Sequence, residues 1–313
     1  MKYLFEINFL NDTIYMEDRK GNIIMDLLLQ TKINIDSRMD GLIWQINRLD
    51  PNQDVHLSLE NVQFAMPESI ILLITLSKYI YDRTCVKVIW KNTKEPVYAY
   101  LDRIGIGIVP FIELERSPKW FHLNFSKSAR SSLNLIEMKI MEKPKQCDEM
   151  ISDTKRILHN WFQDRIASQY TKQVSEYIMH IAGNSLEHSE KNGKGICYYT
   201  LQRYEISQRM QIKLAFGDTG MGIRNSLKTY NEWLPENDGY AIKKAFFDGL
   251  SSRDDQSGGL GFRSIRSTMG KYGGEIAIRS GRAVMHYNPL KKEPWTVKFS
   301  DSLPGTQTVF TLL

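Results

Sequence analysis

The chain has 313 residues, of which 42% are hydrophobic and 25% charged, with a formal net charge of +5. This composition excludes an intrinsically disordered chain and fits a globular protein of one or two domains. The small positive excess does not require nucleic acid: a mildly basic surface explains it, and an anionic ligand such as a nucleotide fits it equally well.

Cysteine usage and hydropathy bear on the cellular compartment. Cys85, Cys147 and Cys197 are far apart and belong to no CxxC or Cys/His cluster, so neither a disulfide framework nor a zinc site is predicted. The first residues lack the apolar core of a signal peptide, and the longest apolar run, Ile70–Leu76, is too short to span a bilayer. The sequence therefore predicts a cytoplasmic protein without a membrane partner.

Residues 1–115 alternate strand-like and helix-like segments. Period-two or β-branched patterns predict strands over 3–10, 54–64 and 85–90. Pro67 stands at the first position of a predicted helix, and a second, short helix is predicted over 95–106. Strands and helices in this alternation predict a small α/β domain.

Residues 116–149 have a different composition, which mixes Ser, Lys and Pro with isolated aromatic residues. They are predicted to form a connector that holds one strand or an ordered arm. Its Ser/Arg/Lys cluster at 127–132 fits a solvated loop, and a phosphate-contacting arm is the alternative. The rest of the chain is predicted to form helices over 150–170 and 171–189, strands over 194–204 and 210–220, a glycine turn with a helix over 258–274, and strands over 275–281 and 305–313.

The helix predicted over 171–189 carries an unusual polar face. Helical spacing places Tyr177, His180, Asn184 and Glu187 on one face, whereas Ser185 falls roughly on another, largely apolar face. Taken alone, such a face fits a solvated surface as well as the wall of a binding site.

Two glycine-containing segments follow. Asp218 comes directly after an apolar strand, where a carboxylate can accept a hydrogen bond from an exocyclic amine, and Gly220 and Gly222 let the backbone turn tightly there. A second glycine loop, 258–262, opens a helix, and free N–H groups at a helix N-terminus favour a phosphate. Neither a P-loop nor a Rossmann fingerprint is present.

The segments NSLEHS, DTGMGI, GGLGF and PGTQTVFTLL, in this order, resemble the GHKL ATP-binding family. That family includes gyrase B subunits, MutL proteins, histidine kinases and anti-sigma serine kinases. The resemblance covers residues 150–313. It implies a GHKL, or Bergerat, α/β sandwich whose cofactors are ATP and Mg²⁺.

The resemblance also implies roles for individual residues. Asn184 is similar to the asparagine that coordinates the Mg²⁺ bridging the phosphates, and Asp218 to the aspartate that receives the adenine amino group. Residues 224–257 would form the ATP lid. Further residues with an implied role in binding the nucleotide are Gly220 and Gly222 in the first glycine box, Ser252 and Arg253 in the lid, Gly259, Leu260 and Gly261 around the phosphates, and Thr306 beside adenine. Arg253 and Arg263 fit either phosphate contacts or exposed basic residues.

One position departs from the family pattern. Hydrolysing members and anti-sigma kinases carry a catalytic glutamate four residues before the asparagine, and here that residue is His180. His180 is either a general base or a polar residue without a chemical role. Glu176, one turn further back, is predicted to be too far away for the same proton. Glu187 could order a metal-bound water.

Residues 54–80 resemble the strand–turn–helix of STAS-like domains, in which a serine at the turn can be phosphorylated, and residues 100–106 resemble the helix that follows it in STAS-like modules fused to GHKL domains. Ser69 is the nearest residue to that position and matches it poorly. The predicted fold class is α/β (α+β), with a STAS-like domain over 1–115, the connector over 116–149 and the GHKL domain over 150–313.

Together the two resemblances imply a bacterial Mg-ATP-binding regulatory or effector protein. Its nucleotide state would be reported by ordering of the lid and by docking of a protein partner or of its own first domain. A homodimer is compatible with this. The alternatives are an anti-sigma-type serine kinase and an ATP-hydrolysing dimeric clamp, and an enzymatic activity stays open because His180 replaces the usual glutamate.

Overall fold

The chain divides into two compact units, Met1–Ser132 and Leu133–Leu313. Strands and helices alternate in the first unit, and the second combines an antiparallel sheet with helices, so the predicted mixed α/β (α+β) class is confirmed. The computed structural model describes residues 13–17, 23–28, 35–36, 40–63, 65–116, 135–162, 164–188, 195–206, 209–230, 235–251, 259–291 and 294–312. The strand predicted over 3–10 lies outside them.

The first unit contains a sheet of five strands in the order β1-β2-β3-β4-β5. Strands β2 to β5 are parallel and β1 pairs antiparallel with β2. Parallel neighbours need crossover connections, which the helices provide. The elements are β1 (Thr13–Glu17), β2 (Ile23–Leu28), α1 (Asp40–Ile46), β3 (Asp54–Ser58), α2 (Pro67–Thr84), β4 (Val88–Lys91), α3 (Glu95–Ile104) and β5 (Ile112–Leu114).

Helix α2 confirms the helix predicted to begin at Pro67, and it fixes the surroundings of Ser69. Ser69 is buried, and its hydroxyl accepts a hydrogen bond from the Met66 amide at 3.1 Å, which caps the helix. A hydroxyl in this position is closed to a kinase. In the part of the chain that the structure describes, α2 and the other helices are too short or too polar to cross a membrane.

The second unit contains a five-stranded antiparallel sheet in the order β6-β7-β8-β10-β9. Helices pack on the sheet around one apolar core. The elements are β6 (Leu135–Met141), α4 (Lys145–Trp161), α5 (Asp164–Tyr177), a π-helical turn (Ile178–Ala182), α6 (Gly183–His188), β7 (Cys197–Ile206), β8 (Arg209–Gly217), α7 (Gly222–Tyr230), α8 (Asp238–Lys243), a second π-helical turn (Lys244–Asp248), α9 (Leu260–Tyr272), β9 (Glu275–Tyr287) and β10 (Trp295–Leu312).

The second unit begins earlier than the predicted boundary at residue 150. Strand β6 pairs with β7, and α4 begins at Lys145, so both belong to the second unit and not to a connector. Ile136 and Met138 of β6 are buried. The sequence predicted one strand or an ordered arm within 116–149, and β6 is such a strand. Residues 117–134 lie outside the described part.

Tyr177 does not share the polar face on which helical spacing had placed it. Its side chain is fully buried and stacks on Phe310 of β10, with ring centroids 4.0 Å apart and ring planes within 7°. The π-helical turn Ile178–Ala182 follows directly and widens the helix locally, so residues on its two sides are out of the regular 3.6-residue register. The face predicted from that register is therefore wrong for Tyr177.

Candidate functional site

Asp218 lies at the end of β8 and collects three parts of the second unit around its carboxylate. Its Oδ1 accepts hydrogen bonds from the backbone N–H groups of Gly220 at 2.9 Å and Thr306 at 3.1 Å. Its Oδ2 accepts one from the Ser185 hydroxyl at 3.0 Å. Three of the motif segments, from α6, the first glycine turn and β10, thus meet at one carboxylate.

The Asp218 carboxylate is buried, and this burial raises its pKa to about 6, although the three hydrogen bonds act in the opposite direction. The group is consequently ionised at neutral pH. An ionised carboxylate has roughly four acceptor positions. Three are occupied in the structure, which leaves one on Oδ2 for an incoming donor such as an amino group.

The turn before Thr306 requires glycine. Gly305 has a φ of +80°, and a Cβ at this position would lie 1.9 Å from the Asp218 carbonyl oxygen. Ser280 of β9 braces the same turn: its hydroxyl lies 3.3 Å from the Gly305 carbonyl oxygen, 3.4 Å from the Thr306 hydroxyl and 2.9 Å from the Ile223 amide, which donates to it. The backbone beside Asp218 is therefore held in place by the conformation of Gly305 and by the Ser280 hydroxyl.

Asn184 and Glu187 lie on α6, and both are exposed. Asn184 precedes Ser185, so the side chain that could meet a metal and the side chain that supports Asp218 are adjacent in sequence. An exposed amide oxygen suits Mg²⁺, which keeps several waters and phosphate oxygens in its coordination shell. The amide oxygen of Asn184 is therefore of the ligand type that the predicted Mg²⁺ site needs.

The second glycine loop approaches the same helix from α9. Gly259 has a φ of +73°, and a Cβ there would lie 1.9 Å from the Gly249 carbonyl oxygen, so only glycine fits. Leu260 begins α9 and is exposed. A Cβ on Gly261 would lie 3.3 Å from Nδ1 of His180. The structure therefore brings His180 and Gly261 together.

Glu176 lies one helical turn before His180 and contacts it. Its Oε2 lies 3.3 Å from His180 Nε2, and the same oxygen accepts a hydrogen bond from the Ser264 hydroxyl of α9 at 2.5 Å. Residues four apart on a helix are neighbours, which explains the first contact. Glu176, His180 and Ser264 form one polar group, called here the Glu176–His180 pair with its Ser264 donor.

Much of the predicted lid is folded onto the second unit. Arg224 of α7 donates to the Pro235 carbonyl at 2.9 Å, and Asp238 of α8 accepts from the Arg282 amide of β9 at 2.9 Å. Helix α8, within the predicted lid 224–257, is thus anchored on β9 of the second unit. Ser252 and Arg253 lie outside the described residues, and Arg263 is an exposed residue of α9.

Sequence reasoning missed three serines at this site. Ser185 was assigned to the apolar face of its helix and is buried, and its hydroxyl donates to Asp218, a contact that was not predicted. Ser280 and Ser264 act through single hydroxyl groups that no spacing rule identifies. The one usable signal was a serine among apolar neighbours at position 185, since a buried hydroxyl needs a partner.

Comparison with known proteins does not identify a family: no family model matches the chain, and no curated protein matches it at a significant level. The likeness to GHKL proteins therefore rests on the order of the motif segments. The likeness of the first unit to STAS-like domains rests on its strand–turn–helix order.

Proposed function

We propose that the chain is a Mg-ATP-binding regulatory or effector protein of the GHKL class. Its second unit binds the nucleotide, and its first unit, a STAS-like module, docks a protein partner. ATP and Mg²⁺ are its cofactors. We also place the protein in the cytoplasm, because Cys85, Cys147 and Cys197 are free thiols and such thiols persist in a reducing compartment.

The observation that carries this proposal is the hydrogen bonding of Asp218. Ser185, Gly220 and Thr306 come from segments up to 121 residues apart, and all three donate to its carboxylate. The remaining acceptor position on Oδ2 suits the amino group of adenine. A buried carboxylate that keeps one acceptor position for a donor discriminates strongly against purines that carry a carbonyl oxygen there.

The phosphates would lie toward α9 and α6. Free N–H groups at the N-terminus of α9, a helix of 13 residues, favour an anion beside Gly259 and Gly261. Asn184 would hold Mg²⁺, which neutralises phosphate charge when bound. Ser185 contacts Asp218, and His180 lies beside Gly261. These two residues are five positions apart in the sequence, so adenine near Asp218 and phosphates near Gly261 would lie along the same helical segment.

For the kinase alternative, Ser69 is a poor candidate to accept the phosphoryl group. Ser69, the nearest match to a STAS phosphorylation site, is buried and caps α2. Phosphate transfer within the chain would need another serine, and transfer to a partner would leave a label on that partner. Incubation with labelled ATP distinguishes this outcome from release of free phosphate.

Titration of Mg-ATP into the full chain by calorimetry tests the proposal. The wild-type protein is expected to bind, and the Asp218→Asn variant is expected to lose roughly 10- to 100-fold in affinity, because a charged hydrogen bond is worth about 1.5–3 kcal/mol. Asp153→Asn, at an exposed residue of α4, is the matched control. GTP in place of ATP should bind more weakly. Equal affinity of wild type and the Asp218→Asn variant would contradict the adenine assignment.

A further inference from the structure

The first unit carries two pairs of an aromatic ring and an arginine on its helices α1 and α2. The Arg48 guanidinium carbon lies 3.3 Å from the centre of the Trp44 ring. The Arg83 guanidinium carbon lies 5.9 Å from the centre of the Tyr79 ring. Asn47 joins the pairs, because its side-chain oxygen accepts a hydrogen bond from the Tyr79 hydroxyl and its carbonyl oxygen accepts one from Arg83 Nη2 at 2.6 Å. The aromatic–arginine patch denotes Trp44, Arg48, Tyr79 and Arg83.

We infer that the aromatic–arginine patch docks an acidic segment of a partner protein, which presents two or more carboxylates beside an apolar side chain. The inference rests on the proposed function, in which the first unit docks a partner, and it adds the docking surface and the chemistry of that partner. Mg-ATP binding is assigned to residues of the second unit and is measured separately.

The charge of the patch favours an acidic partner. Among the residues that the structure describes, no carboxylate forms an ion pair with Arg48 or Arg83, and this includes the exposed Asp50 two residues after Arg48. The neighbouring Lys78, in contrast, is paired with Asp82. Two guanidinium groups therefore carry uncompensated positive charge on one surface. A guanidinium presents parallel N–H groups that match the two oxygens of a carboxylate.

Capping of a helix end explains only part of this arrangement. Arg48 Nη1 donates to the Trp44 carbonyl oxygen at 3.1 Å, and Arg83 donates to that of Asn47, so both arginines bind carbonyls at the end of α1. Each of these hydrogen bonds uses one of the five N–H groups of a guanidinium. The hydrogen bonds also hold the two side chains in place before a partner arrives, which lowers the entropy cost of binding.

Trp44 provides the apolar part of the patch. Its side chain is 51% exposed, which is unusual for so large an apolar group. Tryptophan, tyrosine and arginine are the residue types most enriched among those that dominate the binding energy of protein interfaces. The patch consists of these three types alone. We therefore expect an apolar side chain of the partner to lie against Trp44, with carboxylates beside it that reach Arg48 and Arg83.

A single-stranded nucleic acid fits the patch less well. Bases bind such surfaces by stacking on aromatic faces, but Arg48 covers a face of Trp44 and Arg83 lies over Tyr79. Two arginines would also neutralise only about two phosphates, which gives a weak electrostatic attraction to a nucleic acid. A protein segment with carboxylates uses the same two guanidinium groups fully.

Selection of short random peptides displayed on phage, with the immobilised full-length protein as the target, tests the inference. The selected peptides are expected to share two or more Asp or Glu residues around a leucine, isoleucine or aromatic residue. The peptide with the consensus sequence is then synthesised with a fluorescent label, and its affinity for the full-length protein is measured by anisotropy.

The affinity of this peptide should depend on each residue of the patch. Trp44→Ala is expected to weaken binding about 30-fold, and Arg48→Ala and Arg83→Ala about 10-fold each. Arg48→Lys keeps the charge but loses the parallel donors, so it should weaken binding about threefold. Trp44 is half exposed, so Trp44→Ala should keep the wild-type midpoint of denaturant unfolding. A lower affinity at that midpoint reports a lost contact and not a lost fold.

Arg103→Ala is the matched control. Arg103 also lies over an aromatic ring of the first unit, 6.0 Å from the centre of Tyr100, but on α3, and its removal should leave the affinity for the peptide unchanged. Selection without an acidic consensus would overturn the inference, as would a consensus peptide that binds the wild type and Trp44→Ala equally well. Labelled oligothymidine that binds the wild type but not the patch variants would overturn it as well, in favour of a nucleic acid.

Calorimetry with Mg-ATP on the same samples keeps the inference apart from the proposed nucleotide site. ATP binding without selection of an acidic peptide would overturn the inference alone. Selection of an acidic peptide that depends on the patch, without ATP binding, would overturn the nucleotide assignment alone. The patch variants should bind ATP with the wild-type Kd, because the residues assigned to ATP all lie in the second unit.

Discussion

Replacement of Gly305 by alanine is expected to destabilise the second unit by about 3–4 kcal/mol and to abolish ATP binding. Two costs combine at this position. A non-glycine residue in the left-handed region costs about 1–2 kcal/mol, and the new Cβ would lie 1.9 Å from the Asp218 carbonyl oxygen. That oxygen belongs to the backbone, so relief requires a shift of the turn that holds Thr306 against the Asp218 carboxylate.

Gly105 of the first unit provides the matched control, because its φ of +82° nearly equals the +80° of Gly305, its ψ of 32° lies in the left-handed helical region, and its Cβ position is open within 4 Å. Gly105→Ala should therefore cost only the conformational part, about 1–2 kcal/mol, and leave the Kd for ATP unchanged. Denaturant unfolding of both variants, followed by ATP calorimetry, provides the comparison. Equal destabilisation of the two variants would show that the close approach of Gly305 to Asp218 has no energetic consequence.

Asp218→Asn is expected to stabilise the nucleotide-free protein at pH 7.5 while it weakens ATP binding. Burial raises the pKa of Asp218 from 3.8 to about 6, so between these pH values the folded state binds more protons than the unfolded state. Stability then falls as the pH rises through this window, by roughly 3 kcal/mol in total. The variant lacks this titration, so its free energy of unfolding should exceed that of the wild type by an amount that grows between about pH 4 and pH 6.

The gain is smaller than the full titration effect, because an asparagine side chain offers only one oxygen to the three donors of Asp218, and we expect about 1–2 kcal/mol at pH 7.5. Denaturant unfolding at pH 4.5 and pH 7.5 checks this difference between the two proteins. Asp248→Asn, at an exposed residue of the second π-helical turn, is the control for the removal of one carboxylate. A variant that is less stable than the wild type at pH 7.5 would mean that the hydrogen bonds outweigh the burial of the charge.

The sequence was most informative where a short segment has a fixed local geometry. Gly220 and Gly222 predicted a tight turn after Asp218, and the structure places the Gly220 amide against the Asp218 carboxylate. Helix α2 begins at Pro67 as predicted, because proline restricts the backbone in a way that suits a first helical position. Such features depend on neighbouring residues only.

Features that depend on distant or irregular contacts were not predictable. The π-helical turn at Ile178–Ala182 breaks the regular helical register and places Tyr177 in the core. The sequence did not predict α8, whose position depends on a hydrogen bond between Asp238 and the Arg282 amide, 44 residues away. Ser264 joins Glu176 from a separate helix, and no local pattern identifies that hydrogen bond.

Strand β6 determines where the chain can be divided for expression. It occupies one edge of the second sheet and covers β7 with a ladder of backbone hydrogen bonds. A fragment that starts at residue 150 would leave β7 as a bare edge with buried Tyr199 and Leu201 along it, and such edges pair with other molecules and aggregate. A fragment that contains the second unit should therefore begin before Leu135.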